Sequence, residues 1–158
     1  MTAEESATGP GTASEPGTGR EPEPGTAPEP LTVVAAVIVG AGRLMVVSKK
    51  AAPDVFCLPG GKPDPGESLT DTLVRELDEE LGVVPQEPRF LAEVASVAAL
   101  EGVPLRMTVF ETRISGTPRP AAELAALRWV TGDEEDLTLA PAVRDHVLPL
   151  LRLGTAAP

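Results

Sequence analysis

One cysteine, one histidine, one tryptophan and three lysines are all that this 158-residue chain possesses of those residue types. With Cys57 the only thiol, no internal disulfide can form, and a reducing cytoplasm is the expected setting. Its place just before a Pro-Gly-Gly turn makes Cys57 a buried strand residue rather than a nucleophile. His146 has no second His and no Cys at ligand spacing, which leaves it a surface or packing residue. Basic charge is scarce as well: 13 Lys and Arg stand against 24 Asp and Glu, for a net charge of −11. That balance disfavours DNA or RNA polymers, whose phosphates it would repel. No apolar run approaches the length of a membrane span. The N-terminus has neither the basic start nor the apolar segment of a secretory signal. At this length, with 42% hydrophobic residues, the chain can bury one core and is too short for two ordinary domains.

Residues 1–30 differ from the rest. They are built from Glu, Pro, Gly, Thr and Ala, with EPGTG and EPEPGTAPEP as near-repeats and no aromatic residue. Such a segment cannot offset its ordering entropy by burial, so it reads as a disordered acidic tail. Six glutamates against Arg20 give it about −5, leaving about −6 on residues 31–158. The expected domain is 31–153, followed by a short tail, 154–158.

The chain is organised around Leu58 to Val83, LPGGKPDPGESLTDTLVRELDEELGV. Leu69, Leu73, Leu77 and Leu81 recur every fourth residue and form one stripe of a helix. Ser68 suits the N-cap, Gly82 the left-handed position after the last turn, and Pro85 prevents continuation. Glu76, Glu79 and Glu80 stand at i, i+3 and i+4, so they share one face. Like charges at that spacing repel, and the helix dipole disfavours anions in its second half. A hard divalent cation reverses the sign of each of these effects, because Mg²⁺ takes carboxylate oxygens and keeps waters for a phosphate substrate. Taken alone, an E-x-x-E-E run reads first as a solvated acidic face on a surface helix.

The neighbours make the motif specific. Gly61, Glu67, Arg75, Glu76, Leu77, Glu79, Glu80, Gly82 and Val83 fill every specified position of G-x5-E-x7-R-E-U-x-E-E-x-G-U, where U is a bulky aliphatic. This resembles the Nudix box, and a chance match is roughly one in a million at background residue frequencies. The resemblance implies an α/β protein with the Nudix fold, an α/β/α sandwich around a mixed β-sheet. It implies hydrolysis of a nucleoside diphosphate linked to a further group, with Mg²⁺ or Mn²⁺ held by Glu76, Glu79, Glu80 and the backbone carbonyl of Gly60. Arg75 would orient the carboxylates through its rigid fork, and Glu67 would support the loop–helix junction or the water network.

Outside the motif, Leu31 to Val39 is continuously apolar and β-branched, as expected of a strand covered on both faces. Gly40-Ala41-Gly42 turns the chain into a partner strand, Leu44 to Ser48. Leu91 to Leu100 and Val103 to Ile114 read as a hairpin around Glu101-Gly102, with Arg106 facing solvent. Ala125 to Thr131 is a last strand with Trp129 as a core residue, and Pro141 to Leu153 a closing helix that Pro149 should kink or shorten. Lys49, Lys50 and Lys62 all flank the motif; they either neutralise phosphate oxygens or serve solubility. Glu123 lies six residues before Trp129. Proteins of the MutT-like branch place a glutamate there that joins the metal site, and the bland alternative is a solvated loop residue.

Hydrolysis of an anhydride between two phosphates needs their charge masked and a water placed in line. Metal does the masking, and Glu76 or Glu123 takes the proton. Crowded carboxylates raise one another's pKa until metal arrives, so metal-dependent activity at mildly alkaline pH is expected. The MutT-like resemblance points to a nucleoside or deoxynucleoside triphosphate, cut to monophosphate and pyrophosphate. The position at which MutT-like proteins read an oxidised guanine through asparagine is Val143 here, which offers no hydrogen bond, so a pyrimidine or promiscuous triphosphate substrate stands equally open. An ADP-ribose or nucleotide-sugar pyrophosphatase is the runner-up, and a non-catalytic nucleotide sensor would have lost a metal-binding glutamate. The partner is a small nucleotide, with the protein a monomer or homodimer.

Overall fold

The computed structural model describes residues 29–155, with backbone alone for 152–155. The tail expected over residues 1–30 therefore lies, but for Glu29 and Pro30, outside the described residues, as do residues 156–158.

The strands are β1 (Leu31–Val37), β2 (Val39–Gly40), β3 (Arg43–Lys49), β4 (Ala52–Cys57), β5 (Gly60–Gly61), β6 (Val84–Val97), β7 (Pro104–Ser115), β8 (Leu124–Val130) and β9 (Thr138–Leu139). Helix α1 (Leu69–Leu81) follows β5, and a π-helical turn (Val143–Val147) runs into α2 (Leu148–Thr155) at the C-terminal end. One sheet has the order β5-β1-β7-β6, with β1 and β7 parallel. The other has β2, β3, β4 and β9 in sequence, with β8 along the free side of β3 and β4 parallel to β9. Both sheets are mixed, and the chain passes from the first to the second across Ile38.

The unbroken apolar run of β1 has the expected cause. Val34 and Ala36 join Met45, Val47 and the α1 leucines in one cluster. Ala35 and Val37 join Leu44, Val46, Val143, Val147 and Leu148 in a second cluster on the opposite face. A strand with helices on both sides has no face to leave polar, and the sandwich expected from the sequence is the result. Leu73, Leu77 and Leu81 are fully buried, each contributing about 2 kcal/mol by removal from water. Leu69, in the first turn of α1, departs from the stripe and is exposed.

Other boundaries differ from the sequence reading. Strand β6 begins at Val84, seven residues before the expected Leu91, and carries Pro85 and Pro88. It is an edge strand, and its register shifts between Gln86 and Arg89 where Glu87 takes a positive φ, which is where prolines are tolerated. The hairpin turn is longer than Glu101-Gly102: it spans Ala98–Val103, closed by Ala98 N–H donating to the Val103 carbonyl at 2.9 Å. The closing helix is interrupted as expected, but by widening rather than kinking. Leu148 N–H donates to the Val143 carbonyl, five residues back, immediately before Pro149, which has no N–H to give. Trp129 is half-buried on the α1 side, its ring 3.2 Å from where a Cβ on Gly40 would lie.

Candidate active site

Helix α1 is fixed at both ends. Ser68 Oγ accepts from Asp71 N–H at 3.0 Å, and Gly82 takes the left-handed conformation, φ 69°. At the C-terminal end the carbonyls of Glu80 and Leu81, which have no partner inside the helix, accept from Ala121 N–H at 2.9 Å and Arg119 N–H at 3.1 Å. The loop before β8 is thereby tied to the acidic end of α1, and Glu123 is presented beside it.

The loop from Gly61 to Ser68 is held by Arg75. Its Nε and Nη2 donate to Glu67 Oε2 and Oε1, both at 2.8 Å, and Nη2 also donates to the Lys62 carbonyl at 3.1 Å. Asp64 adds an ion pair at 3.4 Å. Glu67 accepts further bonds from Asp64 N–H and Thr72 Oγ1, each at 2.9 Å. So many donors, Arg75 foremost, hold the Glu67 carboxyl down at about 2. The remaining guanidinium nitrogen, Nη1, donates to Glu76 Oε2 at 2.9 Å and stands 3.5 Å from Glu79 Oε1. Arg75 thus offsets part of the repulsion that the sequence places in the glutamate cluster.

The three glutamates are unequal. Glu79 is exposed, Glu76 is largely covered, and Glu80 is only 3% exposed. Burial raises the Glu76 carboxyl, against the pull of Arg75. Glu80 is pushed up to about 7, chiefly by burial; the 3.2 Å bond from Gly60 N–H opposes this, and the Glu76 charge adds to it. Gly60 pairs with Ala35 of β1 at φ 149°, and a Cβ there would meet the Val34 carbonyl at 2.0 Å. A Cβ on Gly61 would lie 2.3 Å from the Glu76 carboxyl carbon. Gly60 must lack a side chain for β5 to pair with β1, and Gly61 must lack one for the Glu76 carboxylate to keep its place.

Gly60, Gly61, Glu76 and Glu80 line one end of a cleft of about 510 Å³, whereas Glu67, Arg75 and Glu79 stand outside its lining. Lys49, Lys62, Asp64, Glu76, Glu80 and Glu123 share that end, and Lys49 Nζ is 3.5 Å from Glu123 Oε2. Strand β3 changes register against both neighbours between Ser48 and Lys49, which aims the end of the strand at the cleft. Lys50 is exposed in the following turn and does not line the cleft. The Cys57 thiol lies at mid-cleft, and burial pushes it up to about 11, so it stays protonated. Arg106 is exposed beside Glu93, and His146 is exposed. Val33, Leu105, Met107, Ala142 and Val143 make the other end apolar.

The donors at the polar end are hard oxygens suited to Mg²⁺ or Mn²⁺ rather than to softer metals. Among the described residues no three carboxylate, imidazole or thiol groups already enclose a cation position. Arg75 Nη1 holds Glu76 and stands next to Glu79, so these carboxylates must turn from the guanidinium to converge. Asp64 and Thr72 escaped the sequence reading. The signal for Thr72, which is fully buried, was its place directly before Leu73 of the apolar stripe; nothing marked Asp64.

Residues 28–151 match the family model described as the NUDIX domain. A Mycobacterium tuberculosis protein, whose name provisionally makes it an 8-oxo-dGTP diphosphatase, is 34% identical over 79% of this chain and 92% of its own. A crystal structure of a MutT NUDIX hydrolase from Burkholderia pseudomallei superposes with a TM-score of 0.64 at 31% identity, covering 74% of this chain and 95% of that one. An ADP-ribose pyrophosphatase from Streptococcus suis shares the fold alone, at 22% identity and a TM-score of 0.59 over 82% and 94% of the two chains. Family, motif and fold agree: the chain belongs to the Nudix hydrolases, enzymes that act on phosphoric anhydride bonds.

Proposed function

We propose that this protein hydrolyses a nucleoside or deoxynucleoside triphosphate to the monophosphate and pyrophosphate. The observation that carries the reading is the division of the cleft into an end of carboxylates and lysines and an apolar end. A triphosphate chelated by a divalent cation fits the first, and a base with its sugar fits the second. The overall charge of −11 disfavours a polyanion, but a small metal-chelated nucleotide brings little net charge of its own.

Glu76, Glu79 and Glu80 are the residues that would hold Mg²⁺ or Mn²⁺, with the Gly60 carbonyl at the same end. The bound cation would mask phosphate charge and lower the pKa of a bound water. Lys49 and Lys62 neutralise phosphate oxygens as charge grows on the leaving group. Glu76 or Glu123 takes the proton from the attacking water. Glu76 is the deeper of the two and is raised by burial, whereas Glu123 is exposed and tied to Lys49. Arg75 and Glu67 position: their bidentate pair locks the loop to α1 and leaves one guanidinium nitrogen to steer Glu76. Lys50 has no part in this reading.

A panel of nucleotides assayed with Mg²⁺ and with Mn²⁺, with both products identified, tests it. Monophosphate plus pyrophosphate from triphosphates is expected. Ribose 5-phosphate plus AMP from ADP-ribose, with triphosphates left intact, would transfer the assignment to the ADP-ribose pyrophosphatases. Glu79→Gln should abolish turnover with the fold retained, and unchanged turnover would remove the role of the cluster.

A further inference from the structure

The apolar end of the cleft is almost without side chains that form hydrogen bonds. Val143 is fully buried on the helical wall, and Val33, Leu105 and Met107 on the sheet offer no polar atom. Glu101 is the exception. It stands in the turn between β6 and β7 and lines the same cleft. The turn is closed by two backbone bonds, Ala98 N–H to the Val103 carbonyl and Gly102 N–H to the Ala98 carbonyl at 2.8 Å, with Gly102 at φ 72°. Glu101 is therefore carried on a defined scaffold at the tip of a long hairpin.

Its electrostatic situation sets it apart from the other cleft carboxylates. Glu76 and Asp64 are paired with Arg75, Glu80 accepts from Gly60 N–H, and Glu123 faces Lys49. Glu101 alone among the acidic cleft residues has no hydrogen bond or ion pair to another described residue. Glu101 is exposed in the turn, and its charge acts on the Cys57 thiol only after burial, Lys49 and Glu80.

We propose that Glu101 determines base specificity, selecting a purine whose pairing edge carries a ring N–H beside an amino group. An ionised carboxylate only accepts, through two oxygens side by side. Of the common bases, guanine alone presents two adjacent donors to match. Adenine and cytosine set a lone pair next to their one amino group, and thymine and uracil flank their N–H with carbonyl oxygens. Those edges leave a carboxylate oxygen unpaired or facing another acceptor. Oxidation of guanine at C8 leaves the pairing edge unchanged, so the normal and oxidised bases meet Glu101 alike. The preference thus comes from the β6–β7 turn and not from Val143, which lines the same cleft and offers nothing. It rests on the triphosphate reading for the orientation of the nucleotide, base at the apolar end.

The test compares guanine with hypoxanthine nucleotides, which differ only in the 2-amino group. With the full chain and Mg²⁺, kcat/KM for dGTP should exceed that for dITP by about ten- to a hundredfold, the range for a hydrogen bond to a charged group. Glu101→Gln should bring the ratio close to one, as should Glu101→Ala. A ratio near one in the unaltered protein, or an unchanged ratio in both variants, overturns the assignment. Calorimetric binding of dGMP against dIMP gives the same decision without turnover. If no triphosphate is hydrolysed, the functional reading falls, while a dGMP preference that Glu101→Gln abolishes still upholds the role of Glu101, and equal binding overturns it.

Discussion

At the scale of single residues, two adjacent glycines do different work. A side chain on Gly60 would strike the Val34 backbone, which cannot yield without breaking the pairing of β1 with β5. The nearest atoms that a side chain on Gly61 would strike are those at the end of the Glu76 side chain, which can swing away. Gly60→Ala should therefore lower the melting temperature markedly. Gly61→Ala should leave it within a few degrees yet reduce kcat by about a hundredfold, the scale expected when a reacting group is displaced by an ångström. Thermal melts and steady-state assays on the two variants separate these effects; a Gly61→Ala enzyme of full activity would show that the position of Glu76 is immaterial. The motif pattern specifies Gly61 but cannot say why. The reason is a contact between β5 and a helix residue fifteen positions on, visible only once the chain is folded.

At the scale of elements, legibility followed the range of the forces. Helix α1 was readable because its signals are local: leucines at every fourth position, Ser68 before the first turn, Gly82 after the last. Ser68→Ala should cost about 1 kcal/mol of stability, read as a shift of the urea midpoint with unchanged slope. No shift would mean that Thr72 and Glu67, which also tie down the first turn, hold it unaided. Strand β1 was readable for a related reason, its apolar run being long enough to need cover on both faces. Strands β5 and β9 have two residues each, too few to show a period, and exist because neighbours accept them. The long start of β6 was hidden by Pro85 and Pro88, which mark turns in isolation but are compatible with a bulged edge. Of the site, the glutamates and Arg75 were legible as a spacing on one helix. The docking of Arg119 and Ala121 on the α1 carbonyls, which brings Glu123 to the cleft, spans some forty residues and leaves no local trace.

At the scale of the whole molecule, the site draws on the stability of the fold. Glu80 is covered by the same packing that buries Leu77 and Leu81, and its carboxyl is raised from 4.5 to about 7. The folded chain thus retains a proton there that the unfolded chain has released. Stability must fall as pH rises from about 4.5 to about 7, by on the order of 3 kcal/mol from this group, and level off above. Glu67 acts with the opposite sign, since its folded value is about 2. Its contribution is present above about 4.5 and disappears as pH drops toward 2. Metal-free protein should therefore melt highest near pH 4.5 to 5 and lower at pH 8. A cation bound by the ionised cluster, as proposed, adds stability through mass action and competes with the proton. The gap between melting temperatures in Mg²⁺ and in chelator should then widen steadily from pH 5 to pH 8. The Glu80→Gln variant, which carries no charge to bury, should melt higher than the parent in chelator at pH 8 and gain little from Mg²⁺. A melting temperature in chelator that does not change between pH 5 and pH 8 would mean that Glu80 carries its charge in the folded chain at no cost, and the link between fold stability and cation uptake would be lost.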